Sequence, residues 1–277
     1  MLPADGHVHS EWSWDAPNGS MERTCARAVE IGLPAVAFTE HADWTVWSAV
    51  EENLDHLPRL KALRTPELTV TPPPMDVAGY LECVDRCRHR FPDLRIITGI
   101  EVGEPHRHPA AVAALLDAGG FERVLGSLHC LPLDAGFAEP PAHLRRRAAA
   151  DVVRDYLAEV PRVIAGSDVF GVLAHIDYAV RFWPADGDPF DVSDFEDEFR
   201  AALRALADSG RVLEINTWGP PRPELVRWWR DEGGEAVTFG SDAHLPDLLG
   251  RRFAEAVAVA EAHGFRAGAH PYDRWWR

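Results

Sequence analysis

His7-Val8-His9 and Asp242-Ala243-His244 each set two metal-ligating side chains two residues apart. Side chains alternate along an extended strand, so residues i and i+2 share a face. Each pair can therefore bite one divalent ion or two neighbouring ones. Glu40-His41, Glu101, Ser127-Leu128-His129 and Ala174-His175 supply further carboxylate and imidazole groups. These are the ligands that suit Zn, Mn or Fe. The four cysteines, Cys25, Cys83, Cys87 and Cys130, include no CxxC pair, which argues against a closed thiolate zinc site. Cys83 and Cys87 are four apart, one face of a helix, and read as core packing. His56, His89, His143 and His263 fall in helical or loop patterns and read as structural.

The ligand candidates become a site only if the chain brings them to one place. Seven short stretches rich in Val, Ile, Leu or Phe, at about 4–9, 34–40, 95–101, 122–128, 170–175, 211–216 and 236–241, read as strands. Amphipathic or Ala-rich stretches at about 20–32, 76–90, 108–118, 143–160, 191–209, 222–233 and 247–263 read as helices between them. This alternation predicts βα units around a parallel sheet, and seven units suggest a barrel in one domain over residues 1–277. In such barrels the reactive groups sit where strands end and βα loops begin. Six of the seven predicted strand ends carry His, Asp or Glu, a pattern that points to a metal site rather than to scattered histidines. No GxGxxG or P-loop follows any strand, which removes the nucleotide signatures of an open doubly wound sheet. Ala42–Pro74, with Trp44, Trp47 and the run Pro72-Pro73-Pro74, breaks the rhythm and reads as an excursion over the barrel mouth.

The bulk properties narrow the partners. With 44 Asp and Glu against 28 Lys and Arg, the net charge of −16 repels nucleic acid backbones and anionic lipid. No basic leader with an apolar core opens the chain, and no run approaches the roughly 20 apolar residues that span a bilayer. A cytoplasmic protein with reduced thiols is expected.

Taken in order, His7-Val8-His9-Ser10, Phe38-Thr39-Glu40-His41, Gly99-Ile100-Glu101 and Gly240-Ser241-Asp242-Ala243-His244 resemble the motifs of the polymerase and histidinol phosphatase (PHP) superfamily. The resemblance runs from residue 5 to about residue 250. It implies a distorted (β/α)7 TIM-like barrel with a metal centre of two to three divalent ions. By that likeness His7, His9, Glu101 and Asp242 surround the first ion, and Glu101 bridges to a second held by His129 and His175. His41, His244 and Asp15 take the third, and Glu101, Asp242 and His244 form the catalytic set. Leu213-Glu214-Ile215-Asn216-Thr217 and its Gly-Pro turn are similar to the histidinol-phosphate phosphatase branch, as are Pro246 and Leu249-Gly250 after the last motif. That implies hydrolysis of L-histidinol phosphate in histidine biosynthesis. The chain departs from the pattern at Val102-Gly103-Glu104, where relatives often carry an Asp-Tyr pair.

The chemistry expected of such a site is direct attack of water on a phosphomonoester, since clustered divalent ions neutralise phosphate and acidify water. Arg181, six residues after His175, is the candidate phosphate-binding cation, because guanidinium can bind phosphate bidentately. Glu104 or Asp43 is the candidate partner for a substrate amine. Two rivals stand beside this reading: a phosphoesterase acting on nucleotides or other phosphorylated metabolites, and a non-catalytic polymerase-associated module.

Overall fold

The computed structural model describes residues 2–50, 68–270, 272 and 274–277. His56 and the central part of the excursion, residues 51–67, lie outside the described residues. In chain order the strands are β1 (Asp5–Val8), β2 (Ala35–Ala42), β3 (Trp47–Ser48), β4 (Thr69–Val70), β5 (Arg95–Gly103), β6 (Arg123–Ser127), β7 (Leu131–Leu133), β8 (Gly136–Ala138), β9 (Val172–Leu173), β10 (Val212–Asn216), β11 (Ala236–Gly240) and β12 (Trp275–Trp276). The α-helices are α1 (Met21–Ile31), α2 (Val77–Arg90), α3 (Pro109–Ala118), α4 (Pro140–Leu144), α5 (Ala149–Ala165), α6 (Glu196–Asp208), α7 (Pro223–Asp231) and α8 (Phe253–Ala262).

The seven expected strands are β1, β2, β5, β6, β9, β10 and β11, hydrogen-bonded as parallel neighbours in that order. All eight residues of β2 are buried, as in a parallel sheet covered on both faces. Beyond the end of β11 the sheet curls back on itself: Asp242 N–H donates to the His7 carbonyl at 2.8 Å, and His9 N–H to that of Ala243 at 2.9 Å. At the other end of β11, β12 runs antiparallel to it, with Ala236 opposite Trp276. The barrel is thus joined at its mouth while its lower seam is occupied by β12, which is its distortion. A two-residue strand so near the chain end carries no periodic signal, so β12 was not expected.

Local chemistry explains the helices. Ser20 caps α1 by accepting from Arg23 N–H at 3.3 Å, and Gly32 closes it at φ 72°, a conformation that suits glycine. Its buried residues Met21, Thr24, Cys25 and Ala28 follow one helical stripe. Tyr80, Cys83, Val84 and Cys87 do the same on α2, so the cysteine pair is core. On α7, Trp228 and Trp229 are fully buried, and the Trp229 indole N–H donates to the Ala236 carbonyl at 2.9 Å. The helix expected at 143–160 is two: α4 starts at Pro140, where proline's fixed φ suits a first turn, and α5 follows after a break. The antiparallel pair β3–β4 and the hairpin β7–β8 lie at the mouth, and Trp47, Ala49, Val70 and Cys130 pack there into a small cluster of their own. Among the described residues, no helix is long and apolar enough to cross a membrane.

Candidate metal centre

The barrel mouth carries a cavity of about 1120 Å³, whose floor includes His41, Glu101, His129, His175, Asp242 and His244. Strand pleating and register put them there. His41 is paired with Glu101 across β2 and β5, and the two backbone bonds that join β11 to β1 bring Asp242 beside His7 and His9. Asp242 has φ 55° and His175 φ 24°, left-handed values uncommon for such residues and typical of functional sites held by their surroundings. Gly240 is required, because a Cβ there would collide with the Glu214 carboxylate and His7.

Glu101, fully buried, is the hub. Its Oε2 lies 3.1 Å from His7 Nε2, 3.3 Å from His9 Nε2 and 3.3 Å from His41 Nδ1. Its Oε1 lies 2.7 Å from His175 Nε2 and 3.3 Å from His129 Nε2. Asp242 Oδ1 stands 3.4 Å from His9 Nε2 and 3.7 Å from His7 Nε2. Asp15 Oδ2 is 2.9 Å from His244 Nε2 and 3.3 Å from His41 Nε2. The nine candidates therefore form one continuous cluster. Within it His7, His9 and Asp242, then His41, Glu101 and His129, then His7, Glu101 and His175, and finally His9, His41 and His244 offer ligand atoms within 4.8 Å of one another.

The proton inventory fits divalent cations. His7 Nδ1 is engaged by Glu214 Oε1 at 2.8 Å, so Nε2 can satisfy Glu101 only through a proton or a metal ion between them. His244 Nδ1 donates to the Asp242 carbonyl at 3.0 Å, which leaves Nε2 facing Asp15 with the same alternative. His41 Nδ1, His175 Nδ1 and Asp15 Oδ1 are buried without a hydrogen-bond partner. The field favours positive charge here. Burial alone would discharge the ring of His7, yet Glu214, Glu101 and Asp242 together hold it well above the usual imidazole range. Burial likewise opposes ionisation of Glu101, Asp15 and Asp242, but surrounding histidines, and Arg181 beside Asp242, keep all three well below the carboxylate range. His9 differs: burial and the neighbouring rings of His41 and His244 push it down, which favours the neutral ring.

Arg181 lines the cavity, donating to Asp242 Oδ2 at 2.7 Å and Asn216 Oδ1 at 3.2 Å. Its guanidinium lies 5.0 Å from the ring centroids of both Tyr178 and Trp218. The two acids expected at the substrate amine, Glu104 and Asp43, do not line the cavity. Glu104 is only 2% exposed and does not line the cavity. Its Oε1 accepts from His129 N–H at 2.6 Å and Cys130 N–H at 2.9 Å, and its Oε2 from the Thr45 hydroxyl at 2.6 Å. A carboxylate buried in a loop turn is consumed by the donors around it. Asp43 accepts from the Trp14 indole at 2.8 Å, lies 3.4 Å from His41 Nδ1 and 3.6 Å from His129 Nδ1, and is likewise absent from the cavity lining.

Two functional positions lie outside the set read from sequence. Glu214 braces both His7 Nδ1 and, at 2.8 Å, the His175 N–H; an acid inside an otherwise apolar strand was the available signal. Glu139 lines the cavity, with the Tyr178 hydroxyl donating to its Oε1 at 3.4 Å. Burial, more than the opposing pull of His129, raises its pKa to about 7.

Comparison with known proteins adds to this geometry. Residues 5–218 match the PHP domain family. The histidinol-phosphatase of Lactococcus lactis is 24% identical over 254 residues, covering 88% of this chain and 85% of that protein. The probable histidinol-phosphatase of Deinococcus radiodurans is 28% identical over 264 residues, covering 91% of this chain and 90% of that protein. Among solved structures, the L. lactis histidinol phosphate phosphatase complexed with Zn, L-histidinol and phosphate shares the fold at a TM-score of 0.77. It is 20% identical and covers 95% of this chain and 94% of that one. The putative histidinol phosphatase of Listeria monocytogenes gives 0.74 at 20% identity, with 91% and 98% covered.

Proposed function

Because the chain belongs to the PHP domain family, we propose that it is a metal-dependent phosphomonoesterase that hydrolyses L-histidinol phosphate to L-histidinol and phosphate in histidine biosynthesis. The observation that carries this reading is the gathering of five imidazole nitrogens around one buried glutamate, in a cavity that also presents Arg181. Relatives bearing the histidinol-phosphatase name along about nine-tenths of their length support the substrate. Four free cysteines suit a reducing, cytoplasmic setting.

His7, His9, Glu101 and Asp242 would hold one ion, Glu101 with His129 and His175 a second, and Asp15, His41 and His244 a third. Zn, Mn and Fe all suit these ligands. Divalent ions bound there supply charge that neutralises the phosphate oxygens and acidifies an attacking water. Arg181, aimed by Asp242 and Asn216, binds a phosphate oxygen and orients the ester. Glu139 replaces Glu104 and Asp43 as the acid for the substrate amine, since it is the one of the three that lines the cavity. Tyr178 and Trp218 give the substrate imidazole flat apolar walls and keep water from that side. The chain's own residues thus divide between holding charge and choosing the ester.

The test is phosphate release from a panel of esters by the metal-loaded protein. L-histidinol phosphate should show a far larger kcat/KM than p-nitrophenyl phosphate or nucleoside monophosphates. Comparable efficiency on all of them would replace this reading with a broad phosphoesterase.

A further inference from the structure

Glu40 directly precedes His41 in the second sequence motif, but it does not line the cavity, and its carboxylate is held by Ser10 and Ser13. It is completely buried. Its Oε1 accepts from the Ser10 hydroxyl at 2.5 Å, and its Oε2 accepts from Ser10 N–H at 2.9 Å and from the Ser13 hydroxyl at 2.6 Å. A hydroxyl offers one donor and two acceptor places. Ser13 gives its proton to Glu40, and its oxygen takes the His41 backbone N–H at 3.0 Å. The one remaining place faces His9 Nδ1 at 3.0 Å. With the hydroxyl proton already committed, the ring nitrogen there has to be the donor. The neutral His9 ring is thereby fixed with its proton on Nδ1 and its lone pair on Nε2, the nitrogen that approaches Glu101 and Asp242.

We infer that Ser13 and Glu40 are positioning residues of the metal centre, forming a serine–carboxylate relay that locks the tautomer of His9 so that Nε2 is presented to a divalent ion. The inference rests on the metal-centre reading above. Outer partners of a ligating imidazole typically carry about 10–100-fold in metal affinity. Zinc retention against a competing chelator should therefore fall by about that factor in Ser13→Ala, and Ser13→Thr, which restores the hydroxyl, should recover most of it. Ser10→Ala removes a hydrogen bond from the same carboxylate without touching His9, so a purely structural loss would move it as much as Ser13→Ala. The inference expects it to stay near wild type. In the zinc-loaded wild-type protein carrying 15N-histidine, the His9 ring should show its proton on Nδ1.

A folded Ser13→Ala that holds zinc as tightly as wild type, or a His9 proton on Nε2, overturns the relay and leaves the metal centre standing. If Ser13→Ala does not fold, the ring proton in wild type decides alone. A wild-type protein that retains none of Zn, Mn or Fe overturns the metal-centre reading and the relay with it.

Discussion

On the floor of the cavity every candidate ligand except Asp15 stands on a barrel strand or a few residues beyond its end, and each is braced by a second polar group or a neighbouring strand. On the wall that rises from it, Glu139, Tyr178 and Trp218 sit on short helices, turns and a hairpin exit, and Trp218 is 41% exposed. The floor is a rigid array in which moving one carboxylate disturbs several rings. The wall is a set of separable contacts. Floor residues should accordingly govern whether any phosphoester is cleaved, and wall residues which ester is preferred.

The largest effects should come from emptying the floor. The purified protein should carry two to three equivalents of Zn, Mn or Fe by elemental analysis. Stripping the metal with a chelator should abolish hydrolysis of every ester, and adding the ions back should restore it. Less than a tenth of an equivalent, with no activity gained on addition, would mean that the rings are held by protons alone. Glu101→Gln should come close behind. It removes the charge that faces five imidazole nitrogens, and turnover should fall by at least about a thousandfold, roughly 4 kcal/mol, while circular dichroism stays that of the folded protein. Activity near that of wild type would remove Glu101 from the centre of the site.

Arg181 stands between the two regions, bonded to Asp242 on the floor and lying near Trp218 on the wall. Arg181→Met should lower kcat/KM about a hundredfold on all phosphomonoesters alike, near 2.7 kcal/mol. Arg181→Lys should recover little, because an ammonium cannot reproduce the fork. A loss confined to L-histidinol phosphate would move Arg181 from phosphate to leaving-group recognition.

The same division explains what the sequence made legible. Residues on strands obey a period of two, and the order of βα units fixes which strand ends meet. His7, His9, Glu101, His129, His175 and Asp242 could therefore be picked out by their places at strand ends, and the structure brings them within reach of one another; which of them share an ion was implied by the family resemblance. Even β9, only two residues long, kept its place in the sheet. Loops obey no such rule. Glu104 follows directly on β5 and so suggested the mouth, but a φ of 45° turns it onto the backbone N–H groups of His129 and Cys130. Glu139 precedes Pro140-Pro141 with no periodic context. It reaches the cavity because the β7–β8 hairpin folds the chain back at the mouth, and a hairpin of two three-residue strands, one of them containing Pro132, leaves almost no sequence signal.

The smallest effect, and the sharpest division of floor from wall, belongs to Glu139. A buried carboxylate that pairs with an ammonium contributes about 1.5–3 kcal/mol to the preference for the ester that carries one. Glu139→Gln should therefore lower the ratio of kcat/KM for L-histidinol phosphate over p-nitrophenyl phosphate roughly ten- to a hundredfold, with the second substrate nearly unaffected. The sign of the pH dependence follows from burial, which sets the Glu139 pKa at about 7. Below that value the free enzyme presents a neutral carboxylic acid, and above it a carboxylate, so the preference should rise from pH 6 to pH 8 and then level. In Glu139→Gln the group cannot ionise, and the ratio should be flat over the same interval. A wild-type ratio that does not change with pH, or a variant that keeps the rise, would assign the amine to another wall residue. A fall in p-nitrophenyl phosphate turnover as large as that in L-histidinol phosphate would show instead that Glu139 acts through His129, and that the wall is part of the floor.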